Sequence, residues 1–136
     1  MRSPGETDLA RLLATLQPSL DPRLFVFATL PAGDDRLSAL RPVLRFEEQE
    51  GTTLILPADA AEAAGLAAIF PCRMITLEVH SSLAAIGLLA AITARLAAAG
   101  IPVNAVSAFH HDHLFIPADR AEEAMDVLRQ LSAAER

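Results

Sequence analysis

Four histidines carry the imidazole chemistry of this chain, and three of them crowd one short stretch, His110-His111-Asp112-His113. With His80 they supply enough donors for a zinc ion. On a strand, His111 and His113 share a face. The spacing matches no specific metal motif, so histidines of a solvated turn are the plain alternative and no metal ligand is assigned. A pH-responsive imidazole cluster is a further variant. A second candidate is the turn His80-Ser81-Ser82, which the pattern predicts to lead into a long helix. Free N–H groups and the dipole at a helix start favour an anion such as a carboxylate. The first turn, Leu83-Ala84-Ala85, has no acidic residue to take that place. The plain alternative is that Ser81 or Ser82 caps the helix.

Catalytic patterns are missing. There is no Ser/His/Asp arrangement that geometry supports, no phosphate loop and no Cys–His pair, so the chain reads as a non-enzyme without a cofactor. Glu78 and His113 are placed to meet across strands, as a surface ion pair does. Glu47-Glu48-Gln49-Glu50 is a solvated acidic hairpin tip. Arg41, Arg45 and Arg73 suit ordinary surface pairing. The single cysteine, Cys72, opens an apolar strand and reads as a small core residue.

Composition narrows the partners. The 136 residues suit one ordinary domain or two very small units sharing a core. Hydrophobic residues make up 52% of the chain, yet Trp and Tyr are absent and Ala abounds, so elements can pack closely. The formal net charge is -6 and every basic side chain is Arg, which argues against a nucleic-acid surface. The start, MRSPGETDL, lacks the apolar run of a signal peptide. Residues 83–99 contain Thr93 and Arg95, so no uninterrupted apolar stretch reaches membrane-spanning length. The expectation is a cytoplasmic protein with no membrane or nucleic-acid partner.

The elements that must position these groups follow from periodicity and punctuation. Ser3-Pro4-Gly5-Glu6 has the form of a capped helix start, with Leu9, Leu12, Leu13 and Leu16 as its apolar face and Pro18 and Pro22 as its stops. Residues 24–30 read as a central strand. A turn at 31–35 and a short helix over 35–41 follow, then a hairpin of 42–48 and 52–56. Residues 59–64 form a short helix and 67–71 a linker. Residues 74–79 are a strand with Ile75, Leu77 and Val79 on the covered face. Residues 83–99 are the longest helix, with Ile86, Leu89, Thr93 and Leu96 as one stripe and Gly100 as its stop. A second hairpin of 103–110 and 113–116 precedes an amphipathic helix over 118–131, with Ala121, Met125, Leu128 and Leu131 inward.

The two halves repeat. Leu54-Ile55-Leu56-Pro57-Ala58-Asp59 matches Leu114-Phe115-Ile116-Pro117-Ala118-Asp119, and Glu62 then matches Glu122. Each copy is strand, helix, strand, strand, helix, and the first helix of the amino-terminal copy is vestigial. Duplication explains this better than chance.

A unit of this kind, with a polar turn after strand one and Gly-Ile before strand two, resembles the ACT domain, a small ligand-sensing module of ferredoxin-like fold found in enzymes such as aspartate kinase. Phe25-Val26-Phe27-Ala28-Thr29, Phe46-Glu47-Glu48-Gln49-Glu50-Gly51, Phe70-Pro71-Cys72-Arg73, His80-Ser81-Ser82-Leu83 and His110-His111-Asp112-His113 look like a family of stand-alone tandem ACT proteins of largely unassigned function. The resemblance implies an α+β fold: two ACT-like repeats, 1–68 and 69–136, sharing an antiparallel sheet with helices on one face. An ACT unit has a fourth strand, and neither copy has evident room for its own. The expectation is therefore that residues 24–30 and 72–79 lie side by side and complete each other's sheet.

The resemblance also implies a role and a place for a ligand. The expected function is a non-catalytic regulatory sensor that binds an amino acid or similar small carboxylate at an ACT–ACT interface. Such ligands sit between the turn after strand one of one unit and the start of strand two of another. Here those are His80, Ser81, Ser82 and Leu83, and Ile101, Pro102, Val103 and Asn104. Asn104 can both donate and accept. The edge strand 103–110 would pair with its copy in a homodimer, and the partner that reads the response would be an unidentified regulated enzyme. The alternative is a metal-binding protein built on the histidine cluster, or a scaffold with no small-molecule ligand.

Overall fold

The structure is a computed structural model that describes residues 8–79 and 85–136. The chain forms two compact units: residues 22–72, and the segment ending at Asp21 together with 73–136.

In the unit 22–72, β2 (Phe25–Leu30) alternates faces. Val26, Ala28 and Leu30 join Leu54 and Leu56 of β4 (Gly51–Pro57) in a core closed by Leu37 and Ala61. Leu37 comes from a 3₁₀ turn at Asp35–Ala39, and Ala61 from the short helix α2 (Ala58–Ala63). β3 (Leu44–Glu48) pairs with β4, and β4 pairs antiparallel with β2. β2 then pairs with the first part of β5 (Ala68–Glu78), matching Phe25 with Cys72 and Ala28 with Ala68.

That last pairing corrects two expectations. The predicted linker over 67–71 is largely strand, and it is the fourth strand of this unit. Residues 24–30 do lie beside the strand that contains 72–78, as expected, but the paired register is 68–72. Pro71 and the exposure of Ala68 and Ile69 disguised the strand, because edge-like strands tolerate Pro and carry little apolar pattern.

In the other unit the second part of β5 lies between two partners, β7 (Asp112–Pro117) and β1 (Gln17–Leu20). β1 runs antiparallel to it, Gln17 opposite Glu78 and Leu20 opposite Ile75. The sequence reading took Pro18 as a helix stop and missed this strand. The helix does end there, but the chain continues extended. So the second unit also has a fourth strand, supplied by the amino-terminal segment ahead of residue 22. β6 (Asn104–Ser107) pairs with β7 and is shorter than the expected 103–110.

Helices α1 (Leu9–Thr15), α3 (Leu88–Ala98) and α4 (Ala121–Ala134) cover one face of these strands. Their core joins Leu12, Leu13 and Leu16 to Ile75, Leu77, Leu96, Leu114, Ile116 and Leu128. Ile75 and Leu77 face it while Thr76 and Glu78 face away, as expected. Asp8 caps α1 by accepting from the Arg11 N–H at 3.2 Å. Ser3-Pro4-Gly5-Glu6, the expected cap, lies outside the described residues. α4 buries Ala121, Met125, Leu128 and Leu131, the expected face, after a 3₁₀ turn at Ala118–Arg120.

α3 differs from expectation. It starts at Leu88, because Gly87 takes a left-handed conformation (φ 96°) that ends any regular path into the helix. Ile86, placed on the buried stripe by the sequence, is 85% exposed; Leu88, Ile92 and Leu96 face the core. A helix that is apolar all round gives no phase from which to read its buried side.

Candidate functional site

The segment 101–104 is placed by the way α3 stops. Gly100 is left-handed (φ 73°), and the Ile101 N–H turns back to the Leu96 carbonyl at 3.0 Å. Ile101 is thereby buried in the core. Arg120 fixes the same corner: its guanidinium donates to the carbonyls of Ala99 (3.1 Å) and Gly100 (3.3 Å) and pairs with Glu123 at 2.9 Å. A cation at a helix C-terminus offsets the carbonyl end of the dipole. The chain then emerges through exposed Pro102 and half-buried Val103 to Asn104, exposed at the start of β6 and opposite Phe115. β6 pairs with β7 alone among the described strands.

The other half of the expected site, His80, Ser81, Ser82 and Leu83, lies outside the described residues. The first turn of α3 is Leu88-Leu89-Ala90, with Gly87 rather than a serine as its N-cap and no side-chain capping bond.

The histidines gather at the β6–β7 turn. Ring centroids of His110 and His111 lie 6.5 Å apart, as do those of His111 and His113. Asp112 accepts from the Ser107 hydroxyl at 2.5 Å across the turn. His113 Nδ1 meets the Thr76 hydroxyl at 2.9 Å. The strand face that was expected to join Glu78 to His113 therefore joins Thr76 to it. Burial, then the His111 imidazole, holds the His113 pKa below its ordinary value, with Asp112 opposing. His111 Nδ1 is buried without a hydrogen-bond partner among the described residues. Among those residues no three His, Cys, Asp or Glu side chains are arranged to hold a metal ion. Cys72 is buried, its thiol 3.5 Å from the Phe25 carbonyl, and burial pushes its pKa up to about 11. An unreactive core thiol is the result.

Sequence reasoning missed Arg120 and Thr76. Arg120 had one signal, a basic residue opening a helix where acidic ones are usual. Thr76 had none beyond its strand face.

The strand–helix–strand–strand–helix order, completed by a fourth strand in each unit, is the ACT arrangement, and the sequence profile of the ACT domain matches residues 4–73 and again 69–130. The chain belongs to the ACT-domain family. A solved protein of unknown function from Vibrio cholerae, described as a possible transport protein, is similar to this ACT chain. The two share 36% identity at a TM-score of 0.84, over 91% of this chain and 95% of that one. The regulatory subunit of aspartate kinase from Thermus thermophilus, in a ligand-free form, shares the fold at 14% identity and a TM-score of 0.66, covering 88% and 97%. A protein from Agrobacterium tumefaciens shares it at 15% identity and a TM-score of 0.70, covering 86% and 89%. No curated protein matches. The chain is thus a tandem ACT protein, and ACT domains are regulatory, non-catalytic modules that bind small molecules. Among the described residues no helix is long and apolar enough to cross a membrane.

Proposed function

We propose that this chain is a stand-alone regulatory sensor that binds an amino acid or similar small carboxylate between two ACT units of a homodimer. The repeats are assigned to 1–68 and 69–136. One wall of the site is Ile101, Pro102, Val103 and Asn104; the facing wall, from the second copy, is His80, Ser81, Ser82 and Leu83. The observation that carries this reading is the corner at Gly100: a buried Ile101 and the Arg120 clamp hold Asn104 exposed at the start of β6. An exposed amide at this position can donate to a carboxylate and accept from an ammonium group. The short edge strand β6 offers the surface through which two copies would pair. The protein is assigned to the cytoplasm, and its partner is an enzyme whose activity the ligand controls.

A thermal-shift screen against the twenty amino acids, with and without chelator, tests this. A ligand at one hundred times its dissociation constant adds about 2.7 kcal/mol of stability. The expected result is a selective shift that ignores chelator and is lost in Asn104→Ala, whose own fold is intact. A shift that survives Asn104→Ala puts the ligand elsewhere. Silence toward every amino acid, with stability falling in chelator, replaces the sensor by a metal protein.

A further inference from the structure

The unit 22–72 holds a feature that the sensor reading does not use. β5 carries a bulge opposite β2: Phe25 pairs with Cys72, but Phe27 pairs with Ile69, so β5 has one residue more than its partner. Within that bulge Phe70 is left-handed (φ 56°), the one described non-glycine residue with positive φ. A bulky aromatic residue is costly there, and a following proline, Pro71, disfavours helical conformations at Phe70 as well. Strain of this kind persists only where the surroundings impose it, and it concentrates at functional sites.

The strained turn aims apolar groups at one place. The Phe70 ring stands edge-on to Phe27, centroids 5.6 Å apart and planes at 82°. Ile69 is left 72% exposed. Beside them is a hollow of about 240 Å³ lined by Phe27, Ala28, Thr29, Thr53, Ala67 and Ile69, with no charged residue in its wall. Of the charges on neighbouring β3, Arg45 pairs with Glu47 at 2.6 Å, while the Glu48 carboxylate accepts from the hydroxyl of Thr53, a wall residue, and so disfavours an anion there.

We propose that this hollow is a binding site for a small uncharged aromatic molecule. Size suits the class: an apolar cavity of roughly 150 Å³ takes benzene, so this open hollow has room for a ring of indole size. Charge narrows it, because a charged group placed here would be desolvated without a partner. The Phe27 ring forms one wall and favours an edge-to-face or offset ring. The site lies in a different unit from Asn104 and stands whether or not the sensor reading does.

The test is a titration of the isotopically labelled full chain with indole, and with benzoate as the charged ring of similar size, followed by backbone amide shifts. Indole is expected to give saturable shifts at Phe27, Thr29, Thr53 and Ile69 and none at Asn104, and benzoate none at any of them. Thr29→Phe, an exposed strand position whose new ring fills the hollow, should abolish the shifts. Ile69→Ala, which removes an exposed wall without touching the core, should weaken indole roughly tenfold. Three results overturn the proposal: no shifts with indole, equal shifts with benzoate, or shifts that follow protein concentration without indole and vanish in Thr29→Phe. The last would make the face a contact between copies of the chain.

Discussion

The two units close the same strand in the same way and then diverge. β4 ends Leu54-Ile55-Leu56-Pro57 and β7 ends Leu114-Phe115-Ile116-Pro117, and in both the three residues before the proline are buried. Both prolines are extended N-caps without a side-chain capping bond. After that, α2 runs for 6 residues and α4 for 14, and the cores they cover differ accordingly. The fourth strand differs too: the unit 22–72 takes it from the chain that follows its own helix, whereas the other takes β1 from the amino-terminal segment ahead of residue 22. A duplicated unit keeps its strand-to-helix corner because the proline fixes it locally. The remaining sheet position can be filled by any segment that reaches it and can pair its backbone there.

The comparison breaks most directly at Leu12, which is fully buried and belongs to the borrowed amino-terminal segment. Leu12→Ala leaves a cavity among α1, α3 and α4, and the expected cost is about 3 kcal/mol in urea unfolding. Hydrogen exchange should show α3 and α4 losing protection before β3 and β4 do. Equal loss throughout would mean that the two cores are not separate in their stability.

Ser132 sharpens the same point. Its hydroxyl, buried on α4, donates to the Leu16 carbonyl at 3.2 Å, where α1 gives way to β1, and Arg136 donates to that hydroxyl and to the Ala14 carbonyl. Ser132→Ala leaves a carbonyl short of its donor and should cost about 1 kcal/mol. If the borrowed segment is held mainly by this clamp, β1 amides will exchange faster in the variant while those of β6 and β7 are unchanged.

What the sequence made legible follows the same physics. The corner at Pro57 and Pro117 could be read because a proline, a small residue and an aspartate signal one local event whatever surrounds them. The buried face of 74–79 could be read because a strand with one covered face alternates. β1 could not: Pro18 is both a helix stop and an acceptable edge-strand residue, and four residues carry too little pattern to decide. The linker reading of 67–71 failed for a related reason, since a bulge breaks the period of two that identifies a strand. Within the candidate site, Ile101 to Asn104 were found through Gly100, the residue that ends α3. Arg120 clamps that corner from 20 residues away in sequence, and its one signal, a basic residue opening a helix, does not say which carbonyls it will meet until the fold brings it there.

The smallest expected effect lies at the β6–β7 turn, which has no counterpart in the other hairpin, where Glu48 and Gly51 close the strands instead. His113 is half-buried and its pKa lies below the ordinary 6.5, because burial and the neighbouring His111 both disfavour the imidazolium. The folded state therefore binds this proton less well than the unfolded chain does. The resulting stability is complete above pH 6.5 and is lost as the pH falls from there through the lowered folded value. Urea midpoints taken at about pH 7.5 and about pH 5.5, on either side of the ordinary histidine range, should drop at the lower pH by more in the wild type than in His113→Gln. The glutamine can keep a hydrogen bond to Thr76 but cannot take up a proton. An equal drop in both proteins would assign the acid sensitivity to other groups and leave the turn no different in kind from the hairpin at Gly51.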